Sequence, residues 1–417
     1  MNRVKNREDS KGQWPACSFE TLPWVRNPDE LSMIPKSARR KIGQTYQAAI
    51  PCKIAGRSVD VPTDLSARIS DLSVAIARFD MEQKQRGYDL PALMLRSESA
   101  ASSQIEHLTS SVRNVALAEV SQDVPQNARL IAGNVAAMRT ALSINDDVTI
   151  DSIREVHRVL MVQGGESFGG ELRSEQVWVG GSAYSPHGAL YVPPAWERVE
   201  ECLDDMIKFA ARDDIDPVVQ AAVMHAQFES IHPFIDGNGR TGRALLHKML
   251  RKSGILFQTS LPVSAGLLHN IDAYMDSIVA YQQGDPIPVV EQLADALELA
   301  LAVGKIVARD IDGVMEEWSE TIRERAGSSI HRLPAVLAEQ PVVNVAFVAE
   351  RLGITTRAAS SLVARACDYG ILRPMGNRQR GEFYQSDQLI DVLEEASSLP
   401  GIRRLLRGQP ARRPLAR

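Results

Sequence analysis

The chain has 417 residues, 44% of them hydrophobic and 24% charged, with a net charge of −5 at pH 7. That length predicts two or three domains. The charge offers no global argument for a nucleic-acid or membrane partner, and no apolar run reaches the length of a transmembrane helix. Cys17, Cys52, Cys202 and Cys367 lie far apart without a CxxC or Cys/His pairing, so they read as free thiols in a reducing compartment. Met1 to Asp9 are polar and lack the apolar core of a signal peptide, and the expectation is a cytoplasmic protein.

Residues 1–24 read as a flexible tail entering a docking segment through Trp24 and Pro28. Pro62-Thr63-Asp64 predicts a helix start. Leu65, Ile69, Leu72, Ile76 and Phe79 then recur at steps of four and three, with Asp80, Glu82, Lys84 and Arg86 on the wet face. A second helix is predicted on the stripe Ala101, Ile105, Leu108, Val112 and Val115. Ser102 and Glu106 stand four apart on a neighbouring face, and small Ser99, Ser102 and Ser103 let another element approach that carboxylate. Residues 117–150 hold more helix-forming sequence, and Ile150, Ile153, His157 and Leu160 predict a helix in which His157 is a packed structural residue. Val177 to Gly181 and Tyr191 to Pro194 read as short strands around a turn at 182–188, a β-hairpin in an otherwise helical chain.

The next stretch concentrates chemistry. Val219, Ala222, Val223 and Ala226 keep helical spacing up to His232-Pro233-Phe234-Ile235-Asp236-Gly237-Asn238-Gly239-Arg240-Thr241-Gly242-Arg243, after which Ala244 to Leu250 resume it. The layout is helix, tight loop, helix. Gly237 and Gly239 let an anion approach the main chain, and the second helix start offers unpaired N–H groups that suit phosphate. Arg240 and Arg243, three apart on one helix face, make a polyphosphate clamp. Asp236 is the loop's one carboxylate, a candidate Mg²⁺ ligand with phosphate oxygens and water completing the shell. His232, with an unperturbed pKa of about 6.5, is a workable base.

Gln292 to Arg325 is a long helical stretch bridging to a second unit. There Val345 to Leu352 form a helix, Gly353-Ile354 a turn, and Thr355 caps a second helix through Tyr369, ended by Gly370. Ile371 to Arg373 and Glu382 to Tyr384 read as strands around the basic loop Arg378 to Gly381, a winged helix-turn-helix. Arg357, Arg365, Arg378 and Arg380 are its candidates for phosphate contact. Because the second helix has few base-reading side chains, DNA contact and protein contact, a second copy of the chain included, both stay open. Gly401 to Arg417 carry six arginines and no acid, and disorder is expected.

The dodecamer resembles the Fic (Fido) signature H-P-F-x-D/E-G-N-G-R-x-G-R, with every specified position filled. The resemblance implies a mainly α fold, a helical core with a β-hairpin flap, and protein adenylyltransferase (AMPylation) activity. In that reading His232 is the base for a Ser, Thr or Tyr hydroxyl, Asp236 holds Mg²⁺, and Gly237, Asn238, Gly239, Arg240, Gly242 and Arg243 bind the phosphates of ATP. Related Doc kinases carry Lys at the position of Gly239, so glycine there favours nucleotidyl transfer. The hairpin corresponds to the family's flap, which pairs with a target segment. Ser102-x-x-x-Glu106 is similar to the family's inhibitory motif S/T-x-x-x-E-G/N, implying that Glu106 pairs with Arg243; His107 stands where Gly or Asn is usual. Asn270 and Tyr274 fall where relatives line the adenine pocket. The implied organisation is a tail at 1–24, an N-terminal helical region at 25–130 and a catalytic core at 131–300. A linker helix follows at 301–329, then a winged helix at 330–395 and a basic tail at 396–417. Two other readings carry over: a bifunctional enzyme that also removes AMP, and a winged-helix DNA-binding regulator with a nucleotide-sensing core. The target is a protein, with the chain itself included.

Overall fold

The computed structural model describes residues 14–24, 35, 39, 42–84, 86–145, 147–257, 260–376 and 382–408. The N-terminal segment from Trp14 onward is packed, contrary to the expected tail. Strand β1 (Ser18–Pro23) pairs antiparallel with β2 (Thr45–Ile50), in the register Ser18 to Ile50. Trp14 is buried against Tyr281, and the Cys17 N–H donates to Gln282 O at 2.8 Å. These partners lie far away in sequence, so local pattern could not reveal them. Pro28 lies outside the described residues, whereas Trp24 packs edge-on against Tyr46 and Trp178.

Helices build the rest. Helix α1 (Thr63–Gln83) buries Leu65, Ile69, Leu72, Ile76 and Phe79, the expected stripe. Asp80 departs from the expected wet face: it is buried, and its carboxylate accepts from the Phe257 N–H at 3.0 Å.

Helix α2 (Leu90–Ile105) holds the main correction. It does not continue to Val115. Glu106 caps it, His107 takes a left-handed φ of 60°, and Ser111 starts a separate helix α3 (Val112–Ala118). Nor does α2 have a wet face, because Arg96, Ser97, Glu98, Ser99, Ser102 and Ser103 are all buried. Burying that polarity requires partners. Arg96 donates to both Glu119 carboxylate oxygens at 2.7 and 3.0 Å. Glu98 accepts from the Ser264 N–H at 2.8 Å, and its other oxygen lies 2.8 Å from His247 Nε2.

Then come α4 (Gln126–Ser143), α5 (Ile150–Val162), α6 (Val199–Ala210), α7 (Pro217–Ile231), α8 (Asn238–Lys252), α9 (Val263–His269), α10 (Ile271–Gln282) and α11 (Ile287–Thr321). Helix α2 is enclosed by α4, α8 and α9, and α11 packs on α1, α7, α9 and α10 without a break at residue 300. The predicted hairpin shrinks to one bridge, Val179 with Tyr191. Gly180 and Gly181 both turn left-handed (φ 72° and 76°) and end the first arm. The second arm leans on the N-terminal sheet, where the Ala49 N–H donates to Val192 O at 2.9 Å.

The C-terminal unit follows the predicted order: α12 (Leu333–Glu339), β3 (Val342–Val343), α13 (Val345–Leu352), α14 (Thr356–Asp368), β4 (Arg373–Pro374), β5 (Tyr384–Gln385) and α15 (Asp387–Ser397). Its three strands lie antiparallel in the order β3-β5-β4. Thr355 caps α14 through the Ala358 N–H, and Gly353 turns at φ 64°. Arg357 is exposed, whereas Arg365 pairs with Glu324 at 3.2 Å. Arg378 and Arg380 lie outside the described residues. The expectation of disorder from Gly401 fails for α16 (Leu399–Leu406): Ser398 caps it and it buries Ile402 and Leu405, an amphipathic pattern masked by its arginines. One apolar core runs from Trp14 to Leu405. Among the described residues, no helix is long and apolar enough to cross a membrane.

Candidate active site

The site forms where α7 ends and α8 begins. Asp216 accepts from the Val218 and Val219 N–H groups at 2.9 and 3.2 Å to start α7, a buried helix. Its end is set by His232, left-handed at φ 51°, whose N–H closes on Phe228 O at 2.9 Å. This conformation turns the chain sharply into the loop. Asn238 then staples the loop: its Oδ1 accepts from the Phe234 N–H at 2.9 Å and its Nδ2 donates to Phe234 O at 2.8 Å. Both ends of that amide are thereby engaged, so Asn238 shapes the cradle. Gly237 is left-handed at φ 78°, and a Cβ there would press on Leu160 and Met161 at 3.1 Å. Gly242 serves the α7–α8 crossing, where a Cβ would fall 2.5 Å from Glu229 Oε1 and 2.9 Å from Phe228.

Two residues support the loop from outside. His157 accepts from the Gly170 N–H at Nδ1 (2.9 Å), so its Nε2 donates to Asp236 O at 3.0 Å, and its ring stacks on Phe234 at 3.7 Å. Burial lowers its pKa to about 4, keeping it neutral, as a structural histidine requires. Arg173 has no role in the sequence reading. It is buried and donates to His232 O (2.8 Å), Pro194 O (2.5 Å), Ile231 O (3.4 Å) and Glu175 O (3.2 Å). It thus joins the motif loop to the hairpin segment. The one signal in the sequence is an arginine just after Gly169-Gly170, which does not name its partners.

His232 Nδ1 faces Glu229 O at 3.4 Å, which leaves Nε2 toward the site. Burial, only partly offset by that carbonyl, brings its pKa down to about 4, so the ring is neutral at pH 7. Asp236 is largely exposed, with Oδ2 3.4 Å from Arg240 Nη2. Arg240 is buried with Nε and Nη1 lacking hydrogen-bond partners. Such donors suit an anion with several oxygens.

Arg243 is fully engaged. Its Nε donates to Ser102 Oγ, and its Nη2 to Ser102 O, at 2.8 Å each; Nη2 also donates to Glu106 Oε1 at 2.9 Å. Burial works against the Glu106 charge, yet Arg243, Arg240 and His232 outweigh it and hold the carboxyl below its usual range. The sequence-predicted Ser102, Glu106, His232, Asp236, Gly237, Asn238, Gly239, Arg240, Gly242 and Arg243 are therefore brought together. Asn270 is not brought to them, and Tyr274 reaches only Arg243. Asn270 is exposed between α9 and α10, whereas Tyr274 is buried behind the clamp, its hydroxyl 2.9 Å from His225 Nε2 and in contact with Arg243. Its ring is buried and lies nearly parallel to that of His225, the centroids 5.9 Å apart.

Among the described residues no group of three or more His, Cys, Asp or Glu side chains could hold a metal ion. One exposed carboxylate beside a glycine loop and a helix start fits a cation only if most of that ion's ligands come with it.

Residues 147–250 match the Fic/DOC family. The chain is 30% identical over 217 residues to "Protein adenylyltransferase Fic" of Culex quinquefasciatus, covering 48% of this chain and 41% of that protein. It is 29% identical over 248 residues to the protein of the same name in Aedes aegypti, covering 58% and 46%. The matched stretch thus spans less than half the length of these relatives. The crystal structure of a Fic family protein from Desulfovibrio desulfuricans G20 shares the fold, with a TM-score of 0.52 at 20% identity over 79% of this chain and 97% of that one. The chain thus carries a region that matches the Fic/DOC family at residues 147–250, and α7, the motif loop and α8 as far as Leu250 lie inside it.

Proposed function

We propose that this chain is a protein adenylyltransferase that transfers AMP from ATP to a protein hydroxyl and is restrained by Glu106. The observation that supports the reading best is one loop and helix start gathering a neutral His232, the Asp236 carboxylate, a bare helix N-terminus and two buried arginines. The relatives' names point the same way.

In this reading a Ser, Thr or Tyr hydroxyl gives its proton to His232 Nε2. Its oxygen bonds to the α-phosphorus, the bond from that phosphorus to the bridging oxygen breaks, and pyrophosphate leaves. Arg240, with Nε and Nη1 unpaired, receives phosphate oxygens, and the N–H groups at Asn238 and Gly239 add to the charge stabilisation. Mg²⁺ brought with ATP would be held by Asp236 and would neutralise phosphate charge. The hairpin segment 177–192 lies beside the loop through Arg173, where it would align the main chain of a target.

Glu106 blocks this arrangement in two ways. It ties up Arg243, and it occupies space over Gly239 that a phosphate would use. The test is transfer of labelled α-phosphate from ATP onto the chain itself and onto proteins of a cell extract. Wild type, Glu106→Gly, and Glu106→Gly with His232→Ala are compared. Glu106→Gly is expected to label strongly, and the double variant to fall by about 10²–10⁴-fold, the usual effect of losing a general base. Absence of label in all three sinks the reading.

A further inference from the structure

Glu106 rides on a short loop, residues 106–111, between α2 and α3. Both flanking helices are fastened to one buried residue of the C-terminal unit. Gln340, just past α12, accepts at Oε1 from Arg96 Nη2 of α2 at 2.7 Å, and donates from Nε2 to Ala116 O of α3 at 2.7 Å. Arg96 is 1% exposed and Gln340 3%, so neither has water as an alternative partner. Arg96 is held further by Glu119 at the end of α3. A second tie comes from α15, whose Glu394 Oε2 accepts from the Val112 N–H, the first residue of α3, at 2.7 Å. Around them Ala116 packs with Val342 and Ile390 in a small apolar cluster of its own. None of these side chains touches the candidate active site. Arg96 is ten residues before Glu106, about 15 Å along the helix.

The two ends of the loop that carries Glu106 are therefore joined through the C-terminal unit. A loop between two helices keeps its course only while those helices keep their relative position. We propose that the C-terminal unit is the latch of the brake: Gln340 and Glu394 clamp α2 to α3, and that clamp keeps Glu106 seated on Arg243. This rests on the reading of Glu106 as an inhibitor of AMP transfer. It gives the helix-turn-helix unit a part in this chain beyond contact with other molecules, because displacing it unclamps the inhibitory loop.

The test uses the full chain with Gln340→Met, which keeps length but offers neither donor nor acceptor, and with Glu394→Ala. Glu394→Gln, which retains the acceptor for Val112, is the conservative control. Glu394 is exposed, so its variants spare the core if Gln340→Met fails to fold. The first readout needs no activity: hydrogen–deuterium exchange over residues 104–118. Exchange is expected to quicken about five- to tenfold in Gln340→Met and Glu394→Ala, the size of one buried hydrogen bond, and to stay at the wild-type rate in Glu394→Gln. The second readout is AMP transfer, expected to rise by a similar factor in the two loosened variants but not when Glu106→Gly is already present. Unchanged exchange overturns the latch. So does faster exchange with unchanged transfer while Glu106→Gly is active. An inactive Glu106→Gly sinks the adenylyltransferase reading instead, and exchange still decides whether Gln340 and Glu394 hold the loop.

Discussion

Glu106 Oε1 stands where a side chain on residue 239 would have to go: a Cβ on Gly239 would lie 2.1 Å from it and 2.9 Å from Arg243 Nη1. Glycine at 239 thus leaves room above the start of α8 for the Glu106 carboxylate. A longer side chain there and a seated Glu106 are mutually exclusive.

That exclusion makes a thermodynamic prediction independent of catalysis. Gly239→Ala is expected to push Glu106 off Arg243 and lower stability by about 1–2 kcal/mol. In a Glu106→Gly background the same change meets no obstacle. Alanine, a better helix former by up to about 1 kcal/mol, should then be neutral or stabilising. Urea unfolding of the four proteins measures the coupling. An equal cost of Gly239→Ala in both backgrounds would contradict the geometry.

His107 explains a departure from the family pattern. Among the described residues, His107 and His232 are the non-glycine positions with positive φ, at 60° and 51°. Gly or Asn would suit this left-handed turn better, so histidine keeps the turn at a cost in strain. His107→Gly is expected to raise stability by a few tenths to about 1 kcal/mol and to leave the Glu106–Arg243 contact intact. A thermal melt and AMP transfer check both parts. A rise in transfer would show that the turn does not need this conformation.

How much of this was legible in the sequence depends on distance along the chain. The loop at 232–243 was legible because its parts fall within a dozen residues, and the helix-turn-helix elements because caps and turn glycines are local. The breaks were less so: the stripe through Leu108 and Val112 carries helical spacing across a loop, since periodicity does not see a left-handed residue between two helices. Arg173, Gln340 and the β1–β2 pairing were not legible at all. Their partners are 59, 244 and 22 or more residues away for His232, Arg96 and the far strand. The burial of Tyr274 was not legible either, because an aromatic side chain on a helix gives no sign of which layer it faces.

Arg173 is expected to matter as much as the motif itself. Replacing it with Met strips the donor from His232 O, Pro194 O and Glu175 O in a partly or fully buried setting. The expected loss is about 2–4 kcal/mol of stability. Combined with Glu106→Gly, transfer should fall at constant ATP affinity, since the hairpin and the base lose their common anchor while the phosphate cradle keeps its own bonds. Denaturant titration and ATP binding separate the two effects. A variant with wild-type stability and transfer would remove Arg173 from the site.

Glu229 supplies a pH prediction. Its Oε1 lies buried against Gly242 without a hydrogen-bond partner. Burial raises its pKa from 4.5 to about 7, a rise that Arg243 opposes and Glu106 reinforces. The sign follows from linkage. The unfolded chain gives up this proton near pH 4.5 while the folded chain keeps it to about 7. The group therefore favours folding below pH 4.5, and that contribution is lost as pH rises through the window. Glu229→Gln removes the titration. It should stabilise the protein on the order of 1–3 kcal/mol more at pH 8 than at pH 4.5. The Glu106 carboxylate helps to raise Glu229, so Glu106→Gly should lower that pKa and shrink the gain. Unfolding free energies of the four proteins at the two pH values measure both. A gain that is the same at pH 4.5 and pH 8 would mean that Glu229 is ionised throughout. A gain untouched by Glu106→Gly would mean that the two carboxylates do not sense one another across Arg243.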